Sequence, residues 1–390
     1  MTLPRRTLLS LGLTAGVAGL AGCAVPAPAP APTSAVPTAS VNPDGTPNVR
    51  LGTPIGDGSQ APSPDPQPFQ RPITKLAKGE TPPQFVLFSW DGASGNDDHI
   101  LDMIDAAHSV DGTMTMFLTA LYVLPASRKK EYQPPRRPAG DSDIPFMSDK
   151  TVRRTIEGIS TAWKYGNEIG THMGGHFQNP NGVPSWTSAD WEQELSQVYK
   201  LVTQWRTFTG WDDLEPFPFD YTKECVGART PLLAGRETLL PVAKRYGWRY
   251  DTSGTRASAA WPKKDSHGLY DMSMFPVPFK GKSILPMDYN YYVAHTKAKN
   301  IGTAAQRAQW QAEHRDSLRA GLELCLSTNR APLIIGNHLS PWLGGIYQDN
   351  LRDLIVEFGS RPEVQLVSHR WLCDWLDAQD PEVLADLQAR

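Results

Sequence analysis

The chain has 390 residues, enough for one large domain or two ordinary ones. A formal net charge of −3, with no basic stripe and no acidic tail, excludes the electrostatic footprint of a nucleic-acid binder. Hydrophobic residues make up 40% and include twelve Trp, which is enough for a substantial core, and 35 prolines are spread unevenly.

The N-terminus reads as an export signal. Arg5 and Arg6 precede an apolar run from Leu8 to Leu20, shorter than the roughly 20 residues of a membrane-spanning helix. Leu20-Ala21-Gly22-Cys23 then resembles the lipobox of bacterial lipoproteins, which implies lipidation of Cys23 and anchoring to the outer face of the cytoplasmic membrane. The alternative is an ordinary cleaved signal that contains a cysteine. Arg5-Arg6 also resembles a twin-arginine export signal. Residues 24–83 hold fifteen of the 35 prolines, in runs such as Pro26-Ala27-Pro28, and read as an extended, disordered tether whose last dozen residues approach the domain. The domain expected from this pattern covers 84–390. Of Cys225, Cys325 and Cys373, the last two are the favoured disulfide pair, and three buried free thiols are the alternative.

The folded part opens on Phe85-Val86-Leu87-Phe88, a buried strand ending at Ser89-Trp90-Asp91-Gly92. Ile100, Leu101, Met103, Ile104 and Ala107 predict a helix, and 113–119 a second strand. A helix over 149–165 precedes a strand at 167–172. A helix over 188–207 precedes Cys225 to Arg229, and one over 236–246 precedes Trp248 to Asp251. A long helix at 303–325 leads into the strand 332–338. A helix at 348–358 leads into 364–367, and a last helix follows. Six or seven alternating units argue for a parallel α/β sheet or barrel with helices outside.

In such folds the active site lies beyond the carboxyl ends of the strands. Asp91, His172 with His176, Arg229 and His338 all fall there. A lone His or an Asp-Gly turn is weak on its own; the joint placement singles them out. His172-Met173-Gly174-Gly175-His176 brings two imidazoles four residues apart on a glycine-rich loop. With Asp91 they make a two-His, one-carboxylate set that leaves positions open on a divalent metal, zinc by preference.

From 84 to about 377 the chain resembles the polysaccharide deacetylase family, carbohydrate esterase family 4, in its chitin-deacetylase-like branch. Five ordered motifs carry the resemblance: Phe88-Ser89-Trp90-Asp91-Gly92; Glu168 to His176; Arg229-Thr230-Pro231-Leu232; Trp248 to Ser253; and Ile334 to His338, preceded by Asn329-Arg330-Ala331-Pro332. The resemblance implies a deformed (β/α) barrel of seven parallel strands. It implies removal of N-acetyl groups from an amino-sugar polymer such as peptidoglycan or chitin. In that scheme Asp91, His172 and His176 hold the metal, and metal-bound water is the nucleophile. His338 is the general acid, Arg229 orients a carboxylate, and Pro231 lies in the substrate region.

Three substitutions depart from the family pattern. Met173 replaces a hydroxyl residue, Leu232 replaces Tyr, and Trp90 falls where the general-base Asp is expected. Another carboxylate (Asp97, Asp98, Asp220 or Asp251) then serves as base, or hydrolysis runs slowly without one, or the domain is a glycan-binding pseudoenzyme with Trp90 on a sugar ring. Hydrolysis of a small non-sugar amide is a further alternative. Trp342, four residues after His338, either stacks on a sugar or packs in the core, and Tyr289, Tyr291 and Tyr292 either line a cleft or are structural.

Overall fold

Strand β1, Gln84–Asp91, sets the plan, because its alternate residues enter two different cores. Val86, Phe88 and Trp90 join a large core with Ile104, Leu351 and Phe358. Phe85 and Leu87 join a second core with Phe117, Tyr250, Ile334 and Trp375. Side chains alternate across a strand, so these are the two faces of the sheet, and Ser89 and Asp91 share the face of Phe85 and Leu87.

The computed structural model describes residues 41–95, 99–178 and 181–390. The signal segment, Cys23 and the first part of the tether lie outside the described residues, as do Asp97 and Asp98. After β1 come α1 (His99–His108), β2 (Thr115–Leu118), α2 (Asp149–Lys164), β3 (Glu168–Thr171), α3 (Ser188–Thr203), α4 (Trp205–Thr209), α5 (Tyr221–Glu224) and β4 (Gly227–Ala228). Then follow α6 (Arg236–Arg245), β5 (Tyr250–Asp251), β6 (Lys263–Lys264), β7 (Tyr270–Asp271), β8 (Val277–Phe279), β9 (Lys282–Ile284), α7 (Asp288–Thr296) and α8 (Ala304–Ser327). The chain closes with β10 (Leu333–Asn337), α9 (Ile346–Gly359), β11 (Val364–Leu366), α10 (His369–Ala378) and α11 (Pro381–Ala389). No helix among the described residues is long and apolar enough to cross a membrane.

The main sheet runs β10-β1-β2-β3-β4-β5-β7-β6 and curls into a half-barrel flanked by helices. β11 pairs the N-terminal half of β1 and β2 its C-terminal end. The pairs are parallel except for β6 on β7. The architecture is the expected deformed (β/α) barrel, with eight parallel strands and the antiparallel β6 in the sheet where seven parallel strands were implied. Local chemistry starts the helices where the sequence predicts them. Thr187 with Asp190 and Thr303 with Gln306 form capping boxes on α3 and α8. The predicted helix over 188–207 breaks at Gln204 into α3 and α4.

Two expectations need correction. Residues 41–83 are not a free tether. Trp205 Nε1 donates to the Ser59 carbonyl at 3.0 Å, and the Tyr221 N–H donates to Gln60 Oε1 at 2.7 Å. Gln67 Nε2 donates to the carbonyls of Trp163 and Asn167 at 2.9 Å, Trp371 Nε1 to that of Arg71 at 2.8 Å, and the Leu76 N–H to Gln379 Oε1 at 2.9 Å. Trp205 and Trp371 of the domain take strap carbonyls, and glutamines on each side bond the backbone of the other, so the segment is a strap. Gln67 bonds where the chain enters β3, at the N-terminal end of the strand. The cysteines are the second correction: all three are buried and free. Cys325 lies in one core and Cys373 in the other, on opposite faces of the sheet.

The strap generates a test by truncation. Removing residues 1–40 leaves the thermal midpoint unchanged. Removing 1–83 lowers it by at least about 5 °C, because several buried hydrogen bonds are lost at about 1 kcal/mol each. An equal midpoint for the two proteins would contradict the structural role of the strap.

Candidate active site

The parallel strands bring their C-terminal ends to one rim, and four of the candidate residues stand on it. Asp91 ends β1, His172 follows β3, Arg229 follows β4 and His338 follows β10.

Arg229 is fully buried inside the half-barrel, its guanidinium 5.1 Å above the Phe117 ring. Its Nη1 donates to Asp91 Oδ1 at 2.9 Å and to Ser89 Oγ at 2.7 Å. Its Nη2 donates to Thr252 Oγ1 at 3.1 Å. So the carboxylate that Arg229 orients is Asp91. Trp90 sits on the other strand face, fully buried, with Nε1 3.3 Å from Met114 Sδ. This corrects the reading of Trp90: no side chain at position 90 reaches the rim, and its indole offers no face to a sugar. Asp91 is the residue of the first motif that meets Arg229.

Of the substitute bases, Asp220 caps α5 through the Thr222 N–H at 3.0 Å. Asp251 is fully buried against Ser253 Oγ at 2.7 Å and Arg236 Nε at 2.5 Å. Both are committed to structure.

His172 Nδ1 lies 2.8 Å from the Arg229 carbonyl, so it carries the proton and leaves Nε2 as a lone-pair donor. Burial pushes the His172 imidazolium down to about 3, against the pull of Asp91 and with added repulsion from His176 and His338. Burial also lowers His176. The two rings stand 5.3 Å apart, and His176 Nδ1 is buried without a hydrogen-bond partner. Neutral imidazoles with a free nitrogen are the form that binds a divalent ion. As donors the pair suits such an ion. The third ligand does not close: Asp91 Oδ1 is taken by Arg229, and no three His, Cys, Asp or Glu side chains among the described residues form a metal-binding group. The expected Asp91/His172/His176 set is therefore present as an imidazole pair with a neighbouring, arginine-held carboxylate.

The His172–His176 loop is pinned from below. Glu194, fully buried, accepts from the Gly174 N–H at 2.9 Å and from the Tyr132 hydroxyl at 2.7 Å, and Tyr132 accepts from the Gly175 N–H at 2.9 Å. A Cβ on Gly174 would lie 2.8 Å from Glu194 Oε1, and one on Gly175 2.5 Å from the Phe177 ring, so glycines are required here. Met173 takes φ 65° and His176 φ 53°, unfavourable for residues with a Cβ. The strain is held by this packing: Met173 is fully buried in the large core.

His338 has a partner that the sequence reading missed. Its Nδ1 lies 2.8 Å from Asp288 Oδ1, and its backbone N–H donates to Asp288 Oδ2 at 2.8 Å. Asp288 begins α7 and is buried. Burial alone would lower His338, but the charge of Asp288 outweighs it and the net shift is upward. Tyr289, 43% exposed, stands 6.3 Å from His338 and 5.4 Å from Trp342, and Trp342 is half-buried and stacks on Tyr292 at 5.1 Å. Trp342 and Tyr289 thus flank the imidazole. Tyr291 is fully buried behind them, bonded to Ser317, so it lines no cleft. Pro231 is buried at the start of a short turn and presents no surface, while the neighbouring Leu232, at φ 60°, projects 47% exposed.

No family model matches the chain, and no curated protein matches its sequence. Solved structures do. A candidate polysaccharide deacetylase from Mycobacterium smegmatis aligns at TM-score 0.48 and 13% identity over 78% of this chain and 94% of that one. A family 4 carbohydrate esterase from Streptomyces lividans in complex with acetate aligns at 0.35 and 10%, over 71% and 90%. A wild-type pseudoenzyme of carbohydrate esterase family 4 from Bacillus anthracis aligns at 0.38 and 9%, over 76% and 67%. The chain is similar to each of them in fold.

The loop support has a pH signature. Burial lifts Glu194 from 4.5 to about 7, against its hydrogen bonds from Tyr132 and Gly174. A carboxyl raised on folding stabilises fully below its unfolded value and loses that contribution as pH rises through its folded one. Stability is thus expected to fall by roughly 2–3 kcal/mol between pH 4.5 and 7.5 from this group. Glu194→Gln should flatten that slope in thermal melts; an unaltered slope would contradict the assignment.

Proposed function

We propose that this chain is a hydrolase of the polysaccharide deacetylase class that removes N-acetyl groups from an amino-sugar polymer of the cell envelope. One observation supports this reading above the others. A single rim carries an arginine-held carboxylate, Asp91, and an aspartate-held imidazole, His338, beside two neutral imidazoles.

In this reading Asp91 is the general base. Arg229 fixes one carboxylate oxygen, and the other takes the proton of the water that attacks the acetamide carbonyl. His338 is the general acid. Asp288 holds its Nδ1–H, so Nε2–H is the proton delivered to the amine as the carbon–nitrogen bond breaks, giving acetate and a free amino sugar. The upward shift from Asp288 keeps His338 protonated nearer neutral pH. A divalent ion held by His172 and His176, with zinc as first choice, would supply polarisation of the attacked carbonyl.

Tyr289 and Trp342 beside His338 suit the apolar face of a sugar. Export, as expected from the N-terminal sequence, would favour peptidoglycan over chitin. The second reading, a glycan-binding pseudoenzyme, is favoured by the unclosed third ligand position.

Acetate release from N-acetylglucosamine oligomers and from peptidoglycan by the zinc-loaded protein separates the two readings. The hydrolase releases acetate, and His338→Ala lowers kcat by roughly 10²–10⁴. His338 acts while protonated, so Asp288→Asn, which lowers its pKa, should move the alkaline limb of the rate profile to lower pH. Glycan binding without acetate release would leave only the pseudoenzyme.

A further inference from the structure

At the end of β1 two hydroxyls face one spot with no hydrogen-bond partner among the described residues. Thr119 follows β2 and precedes the short 3-10 turn Ala120–Val123. A threonine in that position ordinarily caps the turn with its side chain, but Thr119 makes no such bond. Its Oγ1 is buried and unbonded. Tyr122 lies within the turn, half-buried, and no described residue bonds its hydroxyl. Burial pushes this phenol up to about 12, so it stays a hydrogen-bond donor at any working pH.

Gly92 locates both groups. It follows Asp91 directly, takes φ +82°, and its N–H donates to the Phe117 carbonyl at 2.9 Å, which ties the end of β1 to β2. A Cβ placed on Gly92 would lie 3.3 Å from Tyr122 Cε2, 3.7 Å from Thr119 Oγ1 and 3.8 Å from the Tyr122 hydroxyl. The absence of a side chain at position 92 leaves no Cβ between the end of β1 and the two hydroxyls. Buried polar atoms are nearly always bonded, so a buried hydroxyl without a partner among the described residues, paired with a second such hydroxyl, marks a place built for a polar guest.

We propose that Thr119 and Tyr122 form an oxygen-binding nook of the active site. It holds one oxygen next to Asp91, either that of the attacking water or a hydroxyl of the sugar. The phenol donates to this oxygen, and the threonine hydroxyl donates or accepts. The inference rests on the hydrolase reading above.

The test uses the full zinc-loaded chain with Thr119→Val, Tyr122→Phe and the double variant, each of which removes a hydroxyl while keeping shape. Each single variant should lower kcat/KM by about tenfold, and the double variant by more. The thermal midpoint should not fall, since no bond among the described residues is lost. A fall in kcat at constant KM assigns the nook to water; a rise in KM at constant kcat assigns it to a sugar hydroxyl. A double variant within twofold of the parent in both constants overturns the proposal. If the parent releases no acetate, the hydrolase reading fails, and the nook is then read by binding of an N-acetylglucosamine tetramer. Binding weakened about tenfold in the double variant supports it, and unchanged binding overturns it.

Discussion

The site depends on one buried ion pair. Arg229 reaches from the end of β4 across the half-barrel to Asp91 at the end of β1, with Ser89 and Thr252 taking its other donors. Both side chains are essentially shielded from water. Removing one partner of such a pair leaves an uncompensated buried charge, at a cost of about 3–5 kcal/mol. The pair therefore fixes where Asp91 can point. The Arg229 carbonyl accepts from His172, so the same residue also sets the tautomer of the first imidazole. One arginine thereby fixes both the carboxylate and one histidine of the rim.

Electrostatics divides the three histidines. For His172 and His176 burial outweighs the pull of Asp91, so both are biased toward the neutral form. His338, with Asp288 behind it, is biased toward the charged form. The same residue type thus offers lone pairs on one side of the site and a proton on the other, the division that the proposed amide hydrolysis uses. The strained loop carrying His172 and His176 is held by Glu194 and Tyr132, so it is positioned by buried packing and hydrogen bonds.

Much of this was legible in the sequence, because β1 and β10 are apolar runs that end in polar chemistry and the helix–strand alternation places β3 and β4 between them. Asp91 and His338 follow from the apolar runs, and His172 and Arg229 from the alternation. Position 90 was misread because matching motifs along a line ignores the alternation of a strand; Trp90 faces the helices whatever residue it aligns with. Asp288 was missed because β5 to β9 are two or three residues long and have no apolar run to announce them. The strap at 41–83 has the composition of a tether, and only its side-chain partners on the domain distinguish the two. The favoured disulfide failed because proximity in sequence says nothing about which face of a sheet a cysteine takes.

The central claim is that Asp91 serves the reaction as an arginine-held base while His172 and His176 hold the ion. Zinc titration of the wild type, Asp91→Asn and His172→Ala, with acetate release measured on the same samples, tests it most directly. The account predicts that His172→Ala abolishes zinc binding. It predicts that Asp91→Asn abolishes acetate release while weakening zinc by less than about tenfold. Loss of zinc from Asp91→Asn as complete as from His172→Ala would contradict it and return Asp91 to the ligand set.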